Sequence, residues 1–162
     1  SSPPVDGVDS QPVGEAEGDN QTTTIECLTS ESVVNVISGK YIFNGGTSYD
    51  ANTRYGLYDG TYIFKNVPQT HPIAILNNGN ANIKITNTTS SNSREVNGSY
   101  YDFYYGDVNV TVNGDFGTAS VYCYIHGYMG GENLLVYSDT CEHDTADNGG
   151  NDYNGGNDYN TY

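Results

Sequence analysis

The strongest constraint on this chain is an alternation of apolar and polar residues that recurs between residues 28 and 140, separated by turn-forming residues. No segment there keeps the 3.6-residue period of an amphipathic helix over three turns. The pattern therefore predicts an all-β fold of about eight short strands, a number that suits a β-sandwich. The predicted strands cover residues 33–38, 40–43, 61–66, 72–77, 81–87, 107–112, 119–126 and 133–138.

The clearest alternation is the sequence Val-Asn-Val-Thr-Val that begins at Val108. Val108, Val110 and Val112 share one face of the predicted strand, whereas Asn109 and Thr111 share the other. We expect the valine face to point into the core. An Asn-Gly pair follows, which is typical of a tight turn.

The distribution of charge predicts three regions. Residues 1–26 carry six acidic and no basic side chains, and residues 142–162 carry five acidic and no basic side chains. Residues 27–141 have a net charge of only −4 and contain nearly all the Ile, Leu, Val and Phe. We therefore predict a β-sandwich domain over 27–141, an acidic, Pro-containing N-terminal arm over 1–26, and a C-terminal arm of Asn, Gly, Asp and Tyr over 142–162.

Net charge and hydropathy disfavour two classes of partner. A formal charge of −15 repels both a nucleic-acid backbone and an anionic lipid surface. No apolar run approaches the roughly 18 residues that a membrane-spanning helix requires. We predict no nucleic-acid partner and no membrane span.

The beginning of the chain and its cysteines favour export. The sequence opens Ser-Ser-Pro-Pro without Met, as after removal of a leader, although a chain trimmed for another reason would look the same. We predict a secreted, extracellular or cell-surface protein. Cys27 and Cys141 stand where the charge distribution changes, and we predict a disulfide between them, although three single pairings are open. Cys123 would then be unpaired.

The unpaired cysteine belongs to a group of candidate metal ligands. Cys123, His126 and Met129 lie within seven residues at a predicted strand end, and His71 begins another strand. Two imidazoles, one thiolate and a weak axial thioether form the ligand set of a trigonal copper site. The alternative is ordinary packing, because buried Cys and Met are common in cores. Alternation does direct Cys123 toward the core.

These residues resemble the ligands of the cupredoxins, the small blue copper proteins. The spacing Cys-x2-His-x2-Met from Cys123 to Met129 is similar to the short ligand loop of the amicyanins, and the 52 residues from His71 to Cys123 are close to the family's interval. The resemblance implies an eight-stranded Greek-key β-sandwich, a copper cofactor and one-electron transfer. It departs at Pro72, where the family usually has Asn, because Pro offers no backbone N–H to the site. We expect weaker copper binding or a shifted potential.

Tyrosines indicate a contact surface. Tyr122 and Tyr124 alternate outward beside Cys123, and Tyr153, Tyr159 and Tyr162 punctuate a repeat in the C-terminal arm. Tyr buries a large ring and keeps a polar hydroxyl, which suits contacts between copies of the chain. We also expect residues 21–25, with three consecutive Thr, to add as an edge strand to a neighbouring sheet.

Four Asn-x-Ser/Thr sites are glycosylation candidates, namely Asn20, Asn87, Asn97 and Asn109. Their number is no greater than chance predicts. Asn109 is the most credible acceptor, because alternation turns it outward.

Two functions follow. The leading hypothesis is an extracellular structural protein, a cupredoxin-like subunit that assembles with copies of itself into a filament or surface layer through its arms. The alternative is a soluble, secreted blue copper protein that transfers electrons to a redox partner. The sequence contains no nucleophile elbow, phosphate-binding loop or HExxH motif, so we do not expect an enzyme.

Overall fold

The predicted alternation corresponds to an all-β fold consistent with a β-sandwich. The structure, a computed structural model, describes residues 22–142, and these form fourteen strands, one 3-10 turn at Asp139–Cys141 and no α-helix. These residues contain no helix that is long and apolar enough to cross a membrane. The strands are β1 (Thr24–Cys27), β2 (Glu31–Val33), β3 (Asn35–Ile37), β4 (Lys40–Ile42), β5 (Thr53–Leu57), β6 (Gly60–Val67), β7 (Ile73–Leu76), β8 (Ile83–Ile85), β9 (Asn92–Val96), β10 (Ser99–Phe103), β11 (Gly106–Val112), β12 (Thr118–Cys123), β13 (Gly127–Tyr128) and β14 (Leu135–Tyr137).

Two sheets enclose the main core. One has the order β2-β6-β11-β8; the other has the order β1-β5-β14-β12-β13, with β7 also paired to β12. The pairs β1 with β5, β5 with β14, and β2 with β6 are parallel. A single cluster of buried side chains joins the sheets, and its members include Tyr62, Phe64, Ile73, Val121 and Leu135.

The valine face of β11 is confirmed. Val108, Val110 and Val112 are at most 2% exposed, whereas Asn109 and Thr111 on the opposite face are half-buried. The Asn-Gly pair after this strand does not close a hairpin, because β11 and the following β12 belong to different sheets. The chain crosses from one layer to the other at this point.

A hairpin that the sequence analysis missed corrects the predicted exposure of two tyrosines. Strands β9 and β10 pair around a two-residue Asn97-Gly98 turn. Together with β7 they form a second cluster that includes Phe103, and Tyr122 and Tyr124 pack against it. Tyr122 and Tyr124 are therefore half-buried beneath the β9–β10 hairpin and less exposed than alternation suggested, and their role as a contact surface stays a prediction.

The N-terminal part of the fold also differs from the prediction. Strand β1 pairs in parallel with β5, with Thr24 opposite Thr53 and Ile25 opposite Arg54. The segment predicted to join a neighbouring sheet thus joins its own, and residues 24–26 belong to the folded body rather than to the arm. The reason is proximity, since a segment attached to the sheet by a disulfide pairs with it without the entropy loss of bringing two molecules together.

Strand number was underestimated for two reasons. Predicted strand 33–38 is divided at Val34, because β2 pairs with β6 whereas β3 pairs with β4. Strands at 53–57, 92–103 and 127–128 were not predicted at all. The remaining parts of the two predicted arms, residues 1–21 and 143–162 with Tyr153, Tyr159 and Tyr162, lie outside the described residues.

The predicted disulfide is present. Cys27, at the end of β1, is bonded to Cys141 in the 3-10 turn, 114 residues later. Cys123 is the free cysteine of the described chain, and it is buried.

Candidate metal centre

Strand register brings His71 to Cys123. In the antiparallel pair of β7 and β12, Cys123 lies opposite Ile73, and the Tyr124 backbone N–H donates to the Pro72 carbonyl at 3.0 Å. His71 precedes this ladder in a turn closed by its own N–H, which donates to the Pro68 carbonyl. A separation of 52 residues along the chain thus becomes a contact.

A tight reversal brings His126 to the same sulfur. Strand β12 ends at Cys123, and the chain returns as β13, which places Gly127 opposite Cys123. Gly127 has a φ of +74°, a left-handed conformation that favours glycine. Strict alternation along the predicted strand 119–126 would put His126 on the opposite face from Cys123, but the strand ends at Cys123 and alternation ends with it. His126 therefore reaches the Cys123 side of the sheet.

The three ligand atoms have spacings that suit one metal ion. Cys123 Sγ is 3.7 Å from His71 Nδ1 and 3.8 Å from His126 Nδ1, and the ligand atoms of the three residues all lie within 4.8 Å of one another. A metal about 2.3 Å from sulfur and about 2.05 Å from nitrogen holds those two atoms about 3.8 Å apart in a trigonal plane. Both sulfur–nitrogen distances match this value.

Burial at the centre is graded. Cys123 is completely buried, His71 is half-exposed, and His126 is exposed. Met129 is buried directly after β13, and with His71 and His126 it lines a cavity of about 380 Å³. The four ligands predicted from the sequence therefore lie together at one end of the sheet.

The electrostatic environment favours a ligating form of His71. Partial burial, followed by repulsion from His126, lowers the pKa of His71 from its usual value. Only the neutral imidazole has a free lone pair for a metal. The surroundings thus keep His71 ready to bind over a wider range of acidic pH than an exposed histidine.

Tyr41 is a neighbour of the centre that the sequence analysis did not single out. Its hydroxyl donates to the His71 carbonyl at 2.8 Å, and its backbone N–H donates to the Met129 carbonyl at 2.9 Å. Burial, followed by the charge of a Cys123 thiolate and a hydrogen bond to it, raises the pKa of Tyr41 far above its usual range. No motif marks this residue, because its role depends on contacts with segments 30 to 88 residues distant.

The glycosylation candidates differ in accessibility. Asn97 is exposed at the tip of the β9–β10 hairpin, and Asn87 is also exposed. Asn109 is half-buried in the middle of β11, and its amide nitrogen donates to the Asn87 carbonyl at 3.2 Å. Asn109 is therefore less accessible than alternation suggested. Asn20 lies outside the described residues.

No protein-family model, no curated protein sequence and no solved structure shows a significant match to this chain. The similarity to the cupredoxins consists of ligand types and ligand spacing.

Proposed function

We propose that this protein binds one copper ion through His71, Cys123 and His126, with Met129 as a fourth and weaker ligand, and that it uses the ion to exchange single electrons. The observation that carries the proposal is the pair of imidazole Nδ1 atoms at 3.7 and 3.8 Å from a buried cysteine sulfur. When bound, the copper would supply reversible one-electron chemistry between Cu(II) and Cu(I).

The donor set favours copper over other common metals. Mg²⁺ and Ca²⁺ prefer oxygen ligands, which none of these four side chains provides. A thiolate, two imidazoles and a thioether form the combination found in blue copper centres, whereas structural zinc sites are usually closed by four Cys or His ligands. Met129 as the fourth group therefore favours copper over zinc.

The burial gradient supports electron exchange at the surface. Cys123 lies in the core, where water cannot reach the thiolate, whereas His126 is exposed. Ile125 and Tyr128 beside it are 61% and 37% exposed and offer an apolar surface for a protein partner. An external one-electron donor would reduce Cu(II) here, and an external acceptor would remove the electron again.

We also propose that the two sheets are connected in the Greek-key manner of the cupredoxins. The ligand-bearing turn joins β12 to β13, just before the last strand, β14. This order is the one that the resemblance implies, with three ligands in the final loop and one early histidine.

Copper titration tests the proposal. We expect the purified chain to bind one Cu(II) per molecule and to develop an intense visible band from thiolate-to-copper charge transfer, which ascorbate then bleaches. Cys123→Ser has almost the same size and lacks the thiolate, so it should abolish the band. Cys123 is the only cysteine outside the disulfide, so a charge-transfer band that persists in the Cys123→Ser variant contradicts the proposal. The lack of a charge-transfer band in the unchanged chain contradicts it as well. A colourless metal complex would indicate a site for another metal.

Self-assembly through the chain ends is a second candidate function. Strand β1 is an edge strand of its sheet, because it pairs on one side only, with β5. All four of its residues are exposed. An edge strand with a free side is a template for a strand from another molecule. We propose that the partner is another copy of this chain. We also expect the protein to be secreted and glycosylated.

A further inference from the structure

We propose that Tyr41 is a positioning residue of the metal centre, which ties together the segments that carry the ligands and donates a hydrogen bond toward the Cys123 sulfur. This inference rests on the proposed copper site. It assigns to Tyr41 an influence on copper affinity and on the electronic properties of the bound metal.

Tyr41 contacts the segments of two ligands and interacts with a third. Its hydroxyl donates to the His71 carbonyl at 2.8 Å, and its backbone N–H donates to the Met129 carbonyl at 2.9 Å. Burial, followed by the charge of Cys123 and a hydrogen bond to it, raises the pKa of the same hydroxyl. These segments come from the turn before β7, the end of β12 and the turn after β13. One residue of β4 thus connects ligand segments that are distant in sequence, through its hydroxyl on one side and its backbone N–H on the other.

The Tyr41 hydroxyl can supply a hydrogen bond to the Cys123 sulfur. Pro72 is buried next to His71 and has no N–H to donate. The N–H of Tyr124, which follows Cys123, already donates to the Pro72 carbonyl. Both imidazole Nδ1 atoms near the sulfur become metal ligands. The Tyr41 hydroxyl interacts with Cys123, and we assign it as a donor to the sulfur.

A single proton has two acceptors here. With Cys123 as a thiol, the hydroxyl donates to the His71 carbonyl. A metal-bound thiolate is charged and attracts the same proton, because hydrogen bonds to ionised acceptors are stronger than bonds between neutral groups. In either arrangement the hydroxyl restrains one of the metal ligands.

The ring of Tyr41 is held independently of its hydroxyl. The side chain is 1% exposed and belongs to the main core cluster. A Cβ placed on Gly130 would lie 3.9 Å from both the N and the O of Tyr41, which shows how closely the two backbone segments approach. Removing the hydroxyl alone should therefore leave the ring in place.

The test compares Tyr41→Phe with Tyr62→Phe in the full chain. Tyr62 is also fully buried, but its hydroxyl accepts from the Tyr58 N–H, so this variant controls for loss of a buried hydroxyl. We expect Tyr41→Phe to weaken Cu(II) binding about 10- to 100-fold, the range found for groups that orient metal ligands. Its charge-transfer band should move to longer wavelength and its reduction potential should fall, because an unbonded thiolate gives up electron density more easily. Tyr62→Phe should change neither.

Three results separate the hypotheses. If the unchanged chain has no charge-transfer band, the proposed function and this inference both fail. If it has the band and Tyr41→Phe leaves affinity, band and potential unchanged, the inference alone fails. Should Tyr41→Phe not fold, 3-fluorotyrosine at position 41 keeps the ring and strengthens the donor. The band must then move to shorter wavelength, and an unmoved band overturns the inference.

Discussion

Gly56 shows how closely the disulfide packs against its sheet. A Cβ at this position would lie 2.5 Å from Cys141 Sγ and 2.8 Å from Ile25 Cγ2. Both distances are shorter than van der Waals contact, and the sulfur cannot move away because it is bonded to Cys27. The absence of a side chain at residue 56 therefore allows β1 and the 3-10 turn to approach β5.

We expect Gly56→Ala to lower the free energy of unfolding by about 1 to 3 kcal/mol, because overpacking forces the surrounding groups to shift. Urea denaturation followed by circular dichroism would measure it. The same substitution in a Cys27→Ala/Cys141→Ala background is the control, since it removes the closest sulfur atom. An equal cost in both backgrounds would show that the clash with the disulfide is not the cause.

At the scale of single elements, two hairpins occupy different positions in the fold. The β3–β4 hairpin turns at Ser38 and Gly39, and Gly39 lines the cavity beside the candidate metal centre. The β9–β10 hairpin turns at Asn97 and Gly98, with φ values of +52° and +88°, and covers the outer face of β7 and β12. Left-handed residues at both turn positions are typical of a type I′ turn.

Gly98→Ala should loosen the β9–β10 hairpin selectively. The surrounding space would admit a Cβ, so the expected cost of about 1 to 2 kcal/mol arises from the left-handed backbone alone. Hydrogen exchange should become faster in residues 92–103 and unchanged in residues 35–42. Gly39→Ala is the matched control, because Gly39 has a φ of +75° and equally open surroundings, and it should give the reverse pattern. Equal effects on both hairpins would contradict their independence.

At the scale of the whole molecule, the disulfide joins the two ends of the folded body. A cross-link between residues 114 apart restricts the unfolded chain strongly, by up to about 4.7 kcal/mol for a loop of this order in the chain-entropy model. Within the described residues, the disulfide thus holds the end of β1 against the 3-10 turn at Asp139–Cys141.

Deleting residues 1–21 and 143–162 tests the assembly hypothesis without touching a described strand. The shortened chain keeps β1, both disulfide cysteines and all four side chains that we propose as copper ligands. If the ends connect copies of the chain, light scattering should show large particles for the full chain and monomers for the shortened one, with copper binding unchanged in both. Assemblies of equal size in the two proteins would contradict a role for the ends.

The local sequence pattern was sufficient to predict several features of this protein. Alternation was sufficient for the all-β class and for the valine face of β11, and the residue types from Cys123 to Met129 specified the chemistry of a soft-metal ligand set. Cysteine positions at the change in charge indicated the disulfide. Each of these features depends on residues close in sequence or on composition, so each is readable before folding.

Tertiary structure decided which of these groups meet. The register of β7 with β12 brings His71 next to Cys123. The reversal of the chain after Cys123 brings His126 to the same side of the sheet, whereas strict alternation would have put it on the opposite face. The contacts of Tyr41, the cover over Tyr124 and the pairing of β1 likewise join segments distant in the chain. Pairings of this kind depend on how all the strands pack at once, because a local pattern specifies the face of a strand but not its neighbour.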